Sequence, residues 1–161
     1  RRNVDAVAVA LDQPRLWIPG GDYPAHATWA QQALGELEAG QKRAMVAYWG
    51  KEVVGAVVYQ RSKARSTELE IKNLSIEPYA RGRHIADFLM KQVEIEGVHD
   101  FPGCTAIVAD TKITNKGLLA FVSGIGYRVQ GVTELQSMGQ NGTADVLLRK
   151  DLLPSDRPLL I

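Results

Sequence analysis

The chain has 161 residues, 45% of them hydrophobic and 23% charged, and its 19 basic and 18 acidic side chains leave a net charge of +1. A chain of this length buries roughly 70% of the surface its unfolded form exposes, so it needs no staple to hold a core. Near-neutral charge gives no electrostatic footprint for nucleic acid, and no stretch approaches the ~18 apolar residues of a membrane helix. The single cysteine, Cys104, excludes an internal disulfide and a cysteine-based zinc site. His26, His84 and His99 are too scattered to form a metal cage. One domain over residues 1–150 with a trailing tail at 151–161 is expected, in a reducing, cytoplasmic setting.

In chain order, Val4, Val7, Val9 and Leu11 alternate loosely like a strand that ends at Pro14. A turn-rich loop with Trp17 and Tyr23 follows, where Asp22 can cap a helix carrying Pro24 in its first turn. Ala30, Ala33, Leu34 and Leu37 have helical spacing, and Gly40 ends that helix. Residues 43–49 and 52–60 read as strands joined by Gly50-Lys51 in a tight antiparallel hairpin.

A third strand is expected at 68–77. Its apolar residues fall on odd positions at Leu69 and Ile71 but on even ones at Leu74 and Ile76. A strand has period two, so this slip around Lys72-Asn73 predicts a β-bulge. A helix begins within 81–85 with Ile85, Phe88, Leu89 and Val93 inward, and 98–103 is a loop. A short buried strand at 104–109 precedes a helix from Thr114 or Asn115, with Leu118, Leu119, Val122 and Ile125 inward and Gly126 at its end. Strands at 127–135 and 143–150 close the chain around a Gly/Asn-rich loop. The expected fold is α/β (α+β), a mixed, mostly antiparallel twisted sheet with a bulged central strand and helices on both faces.

The segment Leu74-Ser-Ile-Glu-Pro-Tyr-Ala-Arg-Gly-Arg-His-Ile-Ala86 runs from the slipped strand into a helix start. Unpaired N–H groups at the positive end of a helix dipole suit a pyrophosphate, and Arg81 and Arg83 add charge there. Without an anion, two arginines at a helix N-terminus are electrostatically unfavourable. The segment resembles the acyl-CoA-binding signature of the GNAT-superfamily N-acetyltransferases, an Arg/Gln-x-x-Gly-x-Gly/Ala loop, with Arg81, His84 and Ala86 at the matching positions. His84 stands where the family has its central glycine. Asp110-Thr-Lys-Ile-Thr-Asn115 and Gly126-Tyr127 resemble a second part of the family pattern, in which Asn115 would hold the pantetheine arm; Asn115 also reads as a helix cap.

The resemblance implies an acetyl-CoA-dependent transfer of an acetyl group to a primary amine, with CoA as product. It implies that Leu74, Ser75 and Ile76 pair with the pantetheine amides and that the Ile76 N–H polarises the thioester carbonyl. Arg81, Gly82, Arg83, His84, Ile85 and Ala86 would hold the pyrophosphate. Two carboxylates are candidates for the base: Asp110, expected at the end of its strand, and Glu70, six residues before Ile76. The tyrosine that commonly protonates the thiolate, seven residues after the asparagine, is replaced by Val122. That replacement and His84 leave open a second reading, a catalytically weak or inactive acyl-CoA sensor of the same fold. A third, a nucleic-acid-directed acetyltransferase, rests on Arg61, Lys63 and Arg65, a cluster more often a solvated loop. The acceptor pocket is expected near Trp17, Tyr23, Trp29 and the loop at 136–142. No membrane partner is implied, and the oligomeric state stays open, a homodimer included.

Overall fold

The computed structural model describes residues 4–11, 25–133 and 144–152. They form a mixed α/β fold with four helices, α1 (Val4–Leu11), α2 (His26–Glu38), α3 (Ile85–Asp100) and α4 (Lys116–Gly124). Six strands, β1 (Lys42–Trp49), β2 (Glu52–Arg61), β3 (Glu68–Ile76), β4 (Ala106–Lys112), β5 (Arg128–Thr133) and β6 (Asp145–Asp151), form a sheet in the order β1-β2-β3-β4-β6-β5. The β1–β2, β4–β6 and β5–β6 pairings are antiparallel, and β3–β4 is parallel. The chain divides into two compact units, Arg1–Gln60 with Ile71–Asp100, and Arg61–Glu70 with Phe101–Ile161. The expected cap at Asp22 and Pro24, the aromatics Trp17 and Tyr23, the loop at 136–142 and the tail from Leu153 lie outside the described residues.

In the first unit β2 is buried along nearly its whole length, which explains why Val53-Val-Gly-Ala-Val-Val-Tyr-Gln60 shows no alternation. On one side, Ala6 and Ala10 of α1 pack with Val53 and Ala56. Val7 and Leu11 pack with Ala30 and Leu37 of α2 and with Val58. The segment expected to be an opening strand is therefore a helix. Val7/Leu11 and Ala6/Ala10 are buried at i, i+4, while Val9, part of the period-two pattern, is 39% exposed. The three alanines at 6, 8 and 10 favour helix intrinsically.

On its opposite side β2 meets α3. The Tyr59 hydroxyl donates to Asp100 Oδ2 at 2.7 Å, and Arg43 Nε lies 3.5 Å from Asp100 Oδ1. Burial, reinforced by that carboxylate, pushes the Tyr59 phenol up, so it stays a donor. These ties hold the last turn of α3, which runs to Asp100 where a loop from Val98 was expected. Leu89, Val93 and Gly97, spaced by four, face inward with Met90 beside them. Phe88, expected inward, is 62% exposed because it sits on the outer flank of that stripe.

In the second unit β4 starts later and runs further than expected, through Asp110-Thr-Lys112. These polar residues stay in the sheet because β6 pairs with them to the end, Asp110 with Leu147, Thr111 with Val146 and Lys112 with Asp145. Lys112 Nζ lies 3.2 Å from Asp145 Oδ1, and both side chains are buried. β5 pairs with β6 through a register shift between Val129 and Gly131.

The switch of apolar parity on β3 is not a switch of burial at the same place. Leu69, Ile71, Asn73 and Ser75 are all buried, so the odd face stays inward past Lys72-Asn73. Asn73 Nδ2 donates to Ser75 Oγ at 2.9 Å, which lets two polar residues occupy that face. Alternation ends only where Ser75 and Ile76 are buried consecutively.

Candidate functional site

The segment after β3 turns sharply before it becomes helical. The Glu77 N–H donates to Val54 O at 2.8 Å, and a 3-10 turn spans Pro78–Ala80. Arg81 is extended (φ −67°, ψ 156°), Gly82 has φ 75° and His84 has φ 61°. His84 is the single non-glycine residue with positive φ among the described residues. A histidine here thus holds a left-handed conformation that glycine adopts without strain. Left-handed residues near a helix start turn successive amides toward one side, an arrangement suited to an anion. The first amides of α3 have no partner within the helix and sit at its positive end.

The His84 side chain is exposed. His84→Gly is expected to keep the turn and change unfolding free energy by less than about 1 kcal/mol. His84→Val is expected to destabilise by roughly 1–2 kcal/mol, because a β-branched residue tolerates this conformation poorly. Urea titrations of the two variants test this; equal stability would mean that the left-handed turn is not required.

Two features fasten this turn to the rest of the unit. Arg81 Nε donates to Ile76 O at 3.1 Å, clipping the turn to the end of β3. Arg81 is therefore a bracing residue as well as a charge. Gly55 on β2 lies under the start of α3: a Cβ there would stand 2.8 Å from Ile76 Cδ1, 3.3 Å from Ile85 Cγ2 and 3.4 Å from Leu89 Cδ1. The absence of a side chain at 55 sets how closely Ile76 and the first turns of α3 approach the sheet. Sequence reasoning passed over Gly55, whose only local signal is a glycine within an apolar run.

Ile76 and Ser75 are buried, and Leu74 is half-buried. Arg81, Gly82 and Arg83 are exposed, and Ile85 and Ala86 are half-buried at the start of α3. These residues all belong to the first unit.

In the second unit, Glu70 on β3 is the register partner of Val108 on β4, and Asp110 lies two residues further along β4. Strand periodicity places both carboxylates on one face of adjacent strands. The same face carries Arg149, whose Nη1 is 2.5 Å from Glu68 Oε1 and whose Nε is 2.9 Å from Asp151 Oδ1, and the Lys112–Asp145 pair. Glu70 and Asp110 are half-buried within this charged lattice. Asp110 is inside its strand, not at the end where it was expected.

Asn115 caps α4, its side-chain oxygen accepting from the Leu118 N–H at 3.2 Å. It is exposed. Val122 is 4% exposed, so a tyrosine there would have to bury its ring and hydroxyl. Cys104 is buried, which pushes its thiol up and keeps it protonated. Two members of the basic loop are engaged internally: Arg61 donates to Ser66 O at 2.5 Å and to Pro102 O at 2.8 Å, and Arg65 pairs with Glu68 at 3.5 Å. Trp29 packs against the core formed with α1 and α2. Among the described residues no His, Cys, Asp and Glu cluster could hold a metal ion, and no helix is long and apolar enough to cross a membrane.

Residues 10–127 match the sequence model of the acetyltransferase (GNAT) family. No curated protein sequence matches the chain. Among solved structures, the ribosomal-protein-S18-alanine N-acetyltransferase from Escherichia coli is similar at a TM-score of 0.71 and 12% identity, over 100% of this chain and 96% of that one. An aminoglycoside 6′-N-acetyltransferase complexed with coenzyme A is similar at a TM-score of 0.66 and 17% identity, over 96% and 92%. For a nourseothricin acetyltransferase the values are 0.64 and 17%, and the chain spans 66% of that protein's length with 70% of its own. At these identities the likeness is one of fold.

Proposed function

The chain belongs to the GNAT acetyltransferase family, whose cofactor is acetyl-CoA, and from that premise we propose that it transfers an acetyl group from acetyl-CoA directly to a primary amine. The observation that carries this reading is the left-handed turn at Gly82 and His84 leading into α3, where backbone amides and Arg83 suit a pyrophosphate. Leu74, Ser75 and Ile76 are assigned to the pantetheine amides, Arg81 to Ala86 to the pyrophosphate, and Asn115 to the pantetheine arm beside its capping role. Acetyl-CoA supplies the acetyl group as a thioester. The amine nitrogen bonds to the carbonyl carbon, the C–S bond breaks, and the thiolate leaves with the electron pair. Asp110, or Glu70 on the same face, takes the proton that the amine must lose.

CoA at about 100-fold above its Kd is expected to stabilise the protein by about 2.7 kcal/mol. For a domain of this size that raises Tm by roughly 5–10 °C. No shift with millimolar CoA would overturn the reading. Thiol release in the presence of a panel of amines and peptides then separates an enzyme from a sensor: tight CoA binding without transfer to any acceptor would favour the sensor, the reading that Val122 keeps in view.

A further inference from the structure

We infer that Trp49, outside the turn itself, is a positioning residue for a phosphate of the cofactor's nucleotide end and acts through Arg83; the inference rests on the acetyl-CoA reading above. Trp49 is the last residue of β1, beside the Gly50 turn, and is 48% exposed. The Arg83 guanidinium carbon lies 4.4 Å from the centroid of its ring. A guanidinium at this distance over an indole gains a cation–π attraction, which fixes the cation without using a carboxylate. Among the described residues Arg83 makes no ion pair with a carboxylate.

The nearest acid of the hairpin is already engaged. Glu52 is the register partner of Trp49, and its Oε2 accepts from the Tyr79 hydroxyl at 2.9 Å. Two contacts therefore fasten the hairpin tip to the turn, Tyr79 on Glu52 and Arg83 on Trp49. The second holds a cation in place without neutralising it. Arg83 also sits between Gly82 and His84, the two left-handed positions. A fixed, uncompensated guanidinium is suited to a phosphate, whose oxygens its N–H fork can meet in pairs. CoA carries two such groups, the pyrophosphate and the 3′-phosphate.

Calorimetric titration with CoA and dephospho-CoA tests the assignment on Trp49→Ala, Trp49→Phe, Arg83→Ala and the Arg83→Ala/Trp49→Ala double variant. Trp49→Ala is expected to weaken CoA binding about 3–5-fold, Trp49→Phe to restore it within about 2-fold, and Arg83→Ala to weaken it about 10–30-fold. The double variant is expected to bind no more weakly than Arg83→Ala, because the tryptophan acts through the arginine. Loss of the Trp49→Ala effect with dephospho-CoA identifies the 3′-phosphate as the partner; persistence identifies the pyrophosphate. Unchanged CoA binding by Trp49→Ala, or losses that add in the double variant, would overturn the assignment and leave the proposed function standing. A wild-type chain that binds no CoA would overturn both.

Discussion

Asp145→Ala is expected to cost about 3–5 kcal/mol of folding stability, the largest single loss anticipated for a side chain outside the apolar core. Asp145 is fully buried, and Lys112, its register partner across β4–β6, is 5% exposed. Removing the carboxylate leaves an ammonium in the sheet interior with its main counter-charge gone. Desolvation of a buried ammonium that has lost this carboxylate, more than loss of the contact itself, sets the size of the effect. The Lys112→Met/Asp145→Leu double variant is expected to recover most of the loss, since it removes both charges and keeps the volume. Urea unfolding of the three proteins reads this directly. A loss below about 1 kcal/mol for Asp145→Ala would show that water reaches the pair.

Asp110→Asn is expected to lower kcat by about 10²–10⁴-fold, the range in which general-base assistance usually falls. Glu70→Gln is expected to lower it less, and neither change should alter CoA affinity, because the base acts on the amine. The two carboxylates share a sheet face about two residues apart along neighbouring strands, so either could stand beside the same amine. Thiol-release kinetics with the best acceptor from the amine screen compare the variants. A larger loss for Glu70→Gln would exchange the two assignments. Full activity in both would place deprotonation with solvent.

The order of elements was largely legible in the sequence, because most signals are local. Gly50, Gly40 and Gly126 mark turns with positive φ, and the helical spacing of Ala30, Ala33 and Leu37 is their burial pattern. The candidate cofactor turn was legible too, since it is carried by residue types at fixed offsets. Two readings failed for reasons that local pattern cannot hold. The alternation at 4–11 looked like a strand because alanines conceal which side of a helix is buried. The strand was expected to end at Asp110 because the charge that keeps Lys112 in the sheet, Asp145, is 33 residues away.

By itself the sequence determined the class of fold and the family, and it nominated the segment from 74 to 86 and the acids at 70 and 110 as candidates, all of which depend on residue type and short spacing. Only the tertiary structure decided that His84 keeps a left-handed backbone and that Arg83 rests on Trp49. It also decided that Gly55 makes room for the start of α3, and that Glu70 and Asp110 share a face. The last three join residues whose meeting depends on strand register and packing, and no composition or periodicity encodes a distance between segments that far apart in the chain.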